Sequence, residues 1–128
     1  MEDLYSKAAM DELISRYPKQ FRAIHRSDWP LGWHHLVERA TQEIAEHYPT
    51  AYWAQVKEKY GCLRMYFEGI SECPPAAAAE TESAITCMRC GSPEGKLIRG
   101  PWLRTLCTTC ADYFQKKGPT WPTTPTSR

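Results

Sequence analysis

Two Cys-x-x-Cys pairs, Cys87-Met88-Arg89-Cys90 and Cys107-Thr108-Thr109-Cys110, stand near the C-terminal end of this chain, with residues 91–106 between them. No other feature constrains the fold as much, because this is the ligand spacing and loop length of a four-cysteine zinc site. Two residues between thiolates let a tight turn aim both sulfurs at one ion while the following backbone amides donate to them. Four thiolates then complete a tetrahedron with Zn–S of about 2.3 Å. Gly91 falls where the chain must turn after the second sulfur. The intervening segment has a hairpin's composition: Lys96-Leu97-Ile98-Arg99, a Gly100-Pro101 break, then Trp102-Leu103-Arg104-Thr105-Leu106. The expectation is one structural Zn²⁺, held by Cys87, Cys90, Cys107 and Cys110 in a zinc ribbon over residues 87–112. Four thiolates leave no open position for metal-based catalysis. The competing reading, redox pairs or disulfides, is weaker. A redox Cys-x-x-Cys opens a helix after a strand in a βαβ unit, and no such unit is indicated. The first residues, MEDLYSKAAMDELISRYPK, lack the apolar stretch of a secretory signal. A reducing, cytoplasmic setting is therefore expected, in which paired cysteines mean metal or redox chemistry. Cys62 and Cys73 remain over, Cys62 as a small buried strand residue.

Upstream, Met10, Leu13, Ile14 and Tyr17 repeat at helical spacing, and Pro18 stops the run. Residues 19–32 read as an irregular connection. A second helix is expected from about Trp33 to Tyr48, with Trp33, Leu36, Val37, Ala40, Ile44 and Tyr48 on one stripe and Pro49 as the stop. The period then changes to two. Residues 52–57 and 62–68 read as strands joined by a Tyr60-Gly61 turn in which Gly61 is free to take positive φ. A lone hairpin is marginal, so it should pack on the helices. The fold class is α+β: N-terminal helices on a β-hairpin (residues 1–70), a linker or short exposed helix opened by Pro75 (71–86), the C-terminal zinc ribbon (87–112) and a mostly disordered tail (113–128). The apolar stretches are too short for a bilayer.

Charge is uneven. Residues 1–70 carry nine basic and ten acidic residues, whereas 87–128 carry seven and two. Arg89, Lys96, Arg99 and Arg104, with Trp102, put cations and a stacking ring on the ribbon, unless the charge serves solubility and Trp102 the ribbon's own core; Lys57, Lys59 and Arg64 either line a binding face or solvate the hairpin. A Zn²⁺ with four thiolates carries −2, which weakens that field. The four histidines offer a weaker signal: His34 with Glu38 and Glu43 with His47 stand at i, i+4, where ordinary helix-face contacts are the simpler account. An HNH-type nuclease would need histidine and asparagine by the zinc; the chain has no asparagine and no histidine after His47.

Several segments carry a resemblance: Tyr17-Pro18-Lys19-Gln20-Phe21-Arg22, Gly32-Trp33, Gln55-Val56-Lys57-Glu58-Lys59-Tyr60-Gly61-Cys62-Leu63-Arg64-Met65-Tyr66, Cys87-x-x-Cys90-Gly91, and Gly100-Pro101-Trp102-Leu103-Arg104-Thr105-Leu106-Cys107. Over about residues 17–112 the chain resembles small, functionally uncharacterised bacterial and phage or prophage-encoded zinc-ribbon proteins. It departs from them in having Gly61-Cys62 where two glycines are common, and in lacking a second cysteine cluster before the Gly-Trp helix. The resemblance implies the architecture and a phage-linked setting in a bacterial host cell, without an activity. Three functions follow in order. The first is a non-enzymatic protein-interaction or regulatory module, a phage-borne modulator of host or defence machinery, with Trp29, Trp53, Trp102 and Trp121 as bulky side chains beyond what the core can hide. The second is a nucleic-acid-binding zinc ribbon. The third is an enzyme using the histidines of the second helix.

Overall fold

The computed structural model of the chain describes residues 4–117. Helix α1 spans Lys7–Arg16, opened by Ser6, whose hydroxyl accepts from the Ala9 amide at 3.1 Å, and closed at Tyr17 before Pro18. A 3-10 turn, Leu31–Trp33, leads into helix α2, His34–His47. The buried face of α2 is the expected stripe of Leu36, Val37, Ala40 and Ile44. Thr41 joins it, because its hydroxyl donates to the Val37 carbonyl at 2.7 Å and accepts from the Trp53 indole at 3.0 Å.

Strands β1 (Tyr52–Lys59) and β2 (Cys62–Glu68) form an antiparallel hairpin. Both turn residues are left-handed, Tyr60 at φ 56° and Gly61 at φ 81°. That is the two-residue turn whose twist matches the strands it joins. Alternation puts Leu63 and Met65 into the core, and an irregularity in register between Trp53 and Gln55 lets both Trp53 and Val56 join them. Neither edge of the hairpin is left bare. The β1 edge is met by the 19–32 connection: Trp53 N donates to Gln20 O at 2.8 Å, Val56 N to the Ser27 hydroxyl at 2.8 Å, and Ala54 O accepts from His25 N at 3.1 Å.

The β2 edge is met by helix α3, Pro74–Ser83. Here the expectation of an exposed helix is corrected. The helix forms for the expected reason, with proline at its first positions followed by alanines, the best helix formers. Its small Ala76 and Ala79 are buried, which lets it lie against α2 and β2. Ser83 Oγ accepts from Leu63 N at 2.9 Å and Glu80 Oε2 from Met65 N at 2.8 Å, so α3 caps the amides an edge strand would otherwise expose. Replacing Ser83, which is fully buried, with alanine strands the Leu63 amide. Urea denaturation is expected to show a loss of about 1–3 kcal/mol.

The chain continues into a second antiparallel hairpin, β3 (Lys96–Ile98) with β4 (Arg104–Leu106), and then helix α4, Thr108–Lys117. Order thus runs past the expected end of the ribbon at 112. The remainder of the tail, 118–128 with Trp121, lies outside the described residues. The fold is α+β, as the periodicities imply. A single buried cluster includes Leu4, Trp33, Trp53 and Leu63 together with Met88, Leu106 and Phe114, so the C-terminal hairpin and helix share the core of the first. Trp29 and Trp53 belong to that core, contrary to the expectation of surplus bulk; Trp102, 51% exposed, keeps the surface position. No helix among the described residues is long and apolar enough to cross a membrane.

Candidate metal centre

The first pair lies on a tight knuckle. Gly91 N donates to Cys87 O at 2.9 Å and Cys90 N to Cys87 Sγ at 3.5 Å, while Gly91 takes φ +83°, a value glycine adopts without strain. The second pair is placed differently. Cys107 follows β4 directly and its carbonyl accepts from Ala111 N at 2.9 Å, so Cys107 heads α4 and Cys110 sits in its first turn. A helix start presents free amides and the positive end of the backbone dipole, which favours thiolate. This strand-to-helix step is the local setting that the sequence argument reserved for a redox pair. What separates the two is convergence: the other Cys-x-x-Cys points into the same space.

All four Sγ atoms lie within 4.8 Å of one another, and Cys90 Sγ is 3.7 Å from Cys107 Sγ. A tetrahedral ion with metal–sulfur bonds of about 2.3 Å separates its sulfurs by about 3.8 Å. The four cysteines therefore fit a metal ion. All are free thiols, three of them buried and Cys90 exposed. Burial pushes the Cys87 thiol up, but amides of Cys90, Cys107 and Arg89 outweigh it and bring it down to about 7. Burial, with the neighbouring sulfurs, pushes Cys110 up to about 12 against the pull of Arg89. Cys90 is likewise raised, chiefly by burial. Sulfurs this close ionise together only around a cation.

Arg89 belongs to this centre. Its Nη1 donates to Cys110 Sγ at 3.4 Å, and its guanidinium lies 3.7 Å from the Tyr113 ring centroid and 5.8 Å from that of Phe114. One fixed cation offsets part of the −2 charge of a divalent ion with four thiolates. Arg104 is also turned inward: its Nε is enclosed without a hydrogen-bond partner among the described residues, and Nη1 reaches only its neighbour's carbonyl, Leu103 O, at 3.1 Å. Arg89 and Arg104 are thus engaged within the fold, whereas Lys96, Arg99, Lys59 and Trp102 are exposed and Lys57 and Arg64 half-buried on the hairpin.

The knuckle is fastened to the rest of the molecule by residues the sequence did not single out for this role. Gly32 N donates to Met88 O at 3.0 Å, Met88 N to Thr105 O at 2.9 Å, and the Trp33 indole to Thr86 O at 2.8 Å. A Cβ on Gly32 would stand 2.2 Å from Cys87 O and 2.5 Å from the Met88 carbonyl carbon. The Gly-Trp step was legible as a helix start; that the glycine is a contact point for the knuckle was not.

The histidines are dispersed. His34 Nδ1 accepts from the Trp29 indole at 3.1 Å, and burial holds its pKa below the ordinary value. The expected partner Glu38 accepts from Arg16 at 2.6 Å, and His47 lies 3.7 Å from Glu46 at a cleft of about 270 Å³ that Glu43 also lines. His35 is exposed beside Gly91, and His25 is exposed on the β1 edge. Cys62 is half-buried in β2, and Cys73 is buried at the head of α3, where burial raises its thiol. Comparison with protein families, curated proteins and solved structures returns no match for the chain.

Proposed function

We propose that the protein is a non-enzymatic binding module in which one structural Zn²⁺ staples the second hairpin to the first, so that their tips form a single docking surface. The convergence of four sulfurs carries this reading. Four cysteine thiolates suit zinc and leave the ion no open position, which supports a structural role over a catalytic one. The occupied Nδ1 of His34 and the separation of the other histidines support the same view. Six free cysteines suit the reducing interior of a cell, and the resemblance to phage-linked proteins makes that a bacterial host.

The staple has a consequence for the surface. Thr105 Oγ1 donates to Gly61 O at 2.7 Å, and a Cβ on Gly61 would lie 2.8 Å from Leu97 Cδ1 and 3.5 Å from Leu103. The turn of the first hairpin therefore rests on the second. Lys57, Lys59 and Arg64 come from one side of this junction and Lys96, Arg99 and Trp102 from the other. A macromolecular partner with an anionic surface is the ligand this face suits. Elemental analysis of protein purified without chelator is expected to give one zinc per chain, lost in the Cys87→Ser, Cys107→Ser double variant. Protein that is folded yet metal-free, and that takes up no zinc on addition, would overturn the reading.

A further inference from the structure

Among the described residues the ion pairs sit on the helices: Lys7 with Asp11, Arg16 with Glu12 and Glu38, Arg39 with Glu82, and His47 beside Glu46. The hairpins carry cations outside any such pair, with Glu68 at the far end of β2 and Glu94 ahead of β3 as their exposed acids. Lys57 stands directly across the strand pair from Arg64, and Lys59 across from Cys62. Like charges placed so repel and weaken a hairpin. Glu58, the acid between the two lysines, accepts from Gly61 N at 2.8 Å and is committed to the turn. Lys57, Lys59, Arg64, Lys96 and Arg99 have no ion-pair partner among the described residues.

Exposed aromatic rings collect on the same hairpins. Tyr60, Tyr66 and Trp102 are 67%, 44% and 51% exposed, and they are the large exposed aromatic side chains of the described residues. Lys57 Nζ lies 6.0 Å from the Tyr66 ring centroid on the partner strand and Lys59 Nζ 5.6 Å from that of Tyr60 in the turn, so the hairpin's cations lie between two exposed rings. Tyr60 holds its ring in solvent at φ 56°, a conformation in which a non-glycine residue is uncommon. Glycine or asparagine would serve the turn better. Its ring contacts Lys59 and is otherwise left open to solvent.

Resting on the binding-module reading, we propose that this face binds single-stranded nucleic acid. Phosphates lie against Lys57, Lys59 and Arg64, and unpaired bases stack on Tyr60, Tyr66 and Trp102. Cations alone would suit a duplex or an acidic protein equally well. The rings discriminate, because only an unpaired strand offers free base faces to stack. From Gln55 to Tyr60 the strand runs about 17 Å, and the second hairpin extends the track.

The test is fluorescence anisotropy of the full, zinc-loaded chain with a labelled single-stranded oligonucleotide, the same sequence as a duplex, and labelled polyglutamate. Expected are tightest binding to the single strand and an affinity that falls steeply with salt. Lys57→Gln and Arg64→Gln should each lower the salt slope by about 1. Trp102→Ala should weaken single-strand binding roughly tenfold or more at unchanged slope, with recovery in Trp102→Phe. These side chains reach solvent, and zinc content checks that each variant is folded. No response to either nucleic acid, or a duplex bound more tightly than the single strand, overturns the inference. Binding of polyglutamate alone by zinc-loaded protein overturns it too while sparing the binding-module reading, which falls only if the chain holds no zinc.

Discussion

Chelation of the proposed zinc is expected to release residues 85–117 and to lower the thermal midpoint of the whole chain. Hydrogen exchange before and after removal should show amide protection lost through the knuckle, β3, β4 and the start of α4. The physical reason is that these elements have little regular structure of their own. The second sheet has only three-residue strands, too short to stand alone. Structural zinc supplies about 10–16 kcal/mol of apparent binding energy in small fingers, all of it coupled to folding. The effect should spread, because Met88, Leu106 and Phe114 are buried in the common core and Thr86 accepts the Trp33 indole. α2 and the first hairpin, with their own apolar face and both edges covered, should keep slow exchange. Acid acts in the same direction as chelator: the ligands must be thiolates, so protons compete with the ion as pH falls. Unchanged protection over 85–117 in fully metal-free protein would show that the ion does not organise this end.

The second large effect is expected from a single methyl group far from the sulfurs in sequence. Gly32→Ala places a Cβ 2.2 Å from Cys87 O and 2.8 Å from Arg89 N. These are backbone atoms of the knuckle, held by their own hydrogen bonds, and cannot swing aside as a side-chain end would. Either the 3-10 turn or the knuckle must move, at a cost of about 3 kcal/mol. Zinc affinity should fall with it, since the displaced carbonyl belongs to a ligand residue. Urea denaturation of the loaded protein and competition with a chromophoric chelator measure the two. Gly91→Ala is the useful comparison: its penalty comes from φ +83°, about 1–2 kcal/mol, with less crowding behind it. A Gly32→Ala protein within a few tenths of a kcal/mol of wild type would contradict the docking of the knuckle on this turn.

The cluster of four cysteines was legible because its information is local. A Cys-x-x-Cys step encodes its own turn, and repeating it across a hairpin-length segment is enough to imply closure. The same holds for α1, α2 and the Tyr60-Gly61 turn, where periodicity, proline stops and a glycine act within a few residues. Helix α3 shows where local reading ends. Its alanines and prolines signal a helix but give no apolar stripe, so nothing in 74–83 tells that small side chains let it press on α2. The α4 helix was missed for a related reason: Cys107 and Cys110 were read as a ribbon knuckle, and the start of a helix offers the same sulfur spacing.

The proposed single-stranded partner departs from the ranking made on sequence for a reason of the same kind. Sequence ranked a protein partner ahead of nucleic acid on the absence of catalytic patterns and a surplus of tryptophan. Burial of Trp29 and Trp53 removes the surplus, and the proposal rests instead on Lys57 and Arg64, which form no ion pair among the described residues, and on the exposed Tyr60, Tyr66 and Trp102. Charge counts along a chain do not reveal which cations have found carboxylates.

The sequence by itself determined the four sulfurs, the α+β class and the two helices and hairpin of the first half, since each depends on spacings shorter than a turn or a strand pair. Only the tertiary structure decided that Gly32 carries the knuckle, that Arg89 is a donor to Cys110 and that the tip of the first hairpin rests on the second. Those contacts join residues distant in the chain, and no local pattern records a neighbour that arrives by folding.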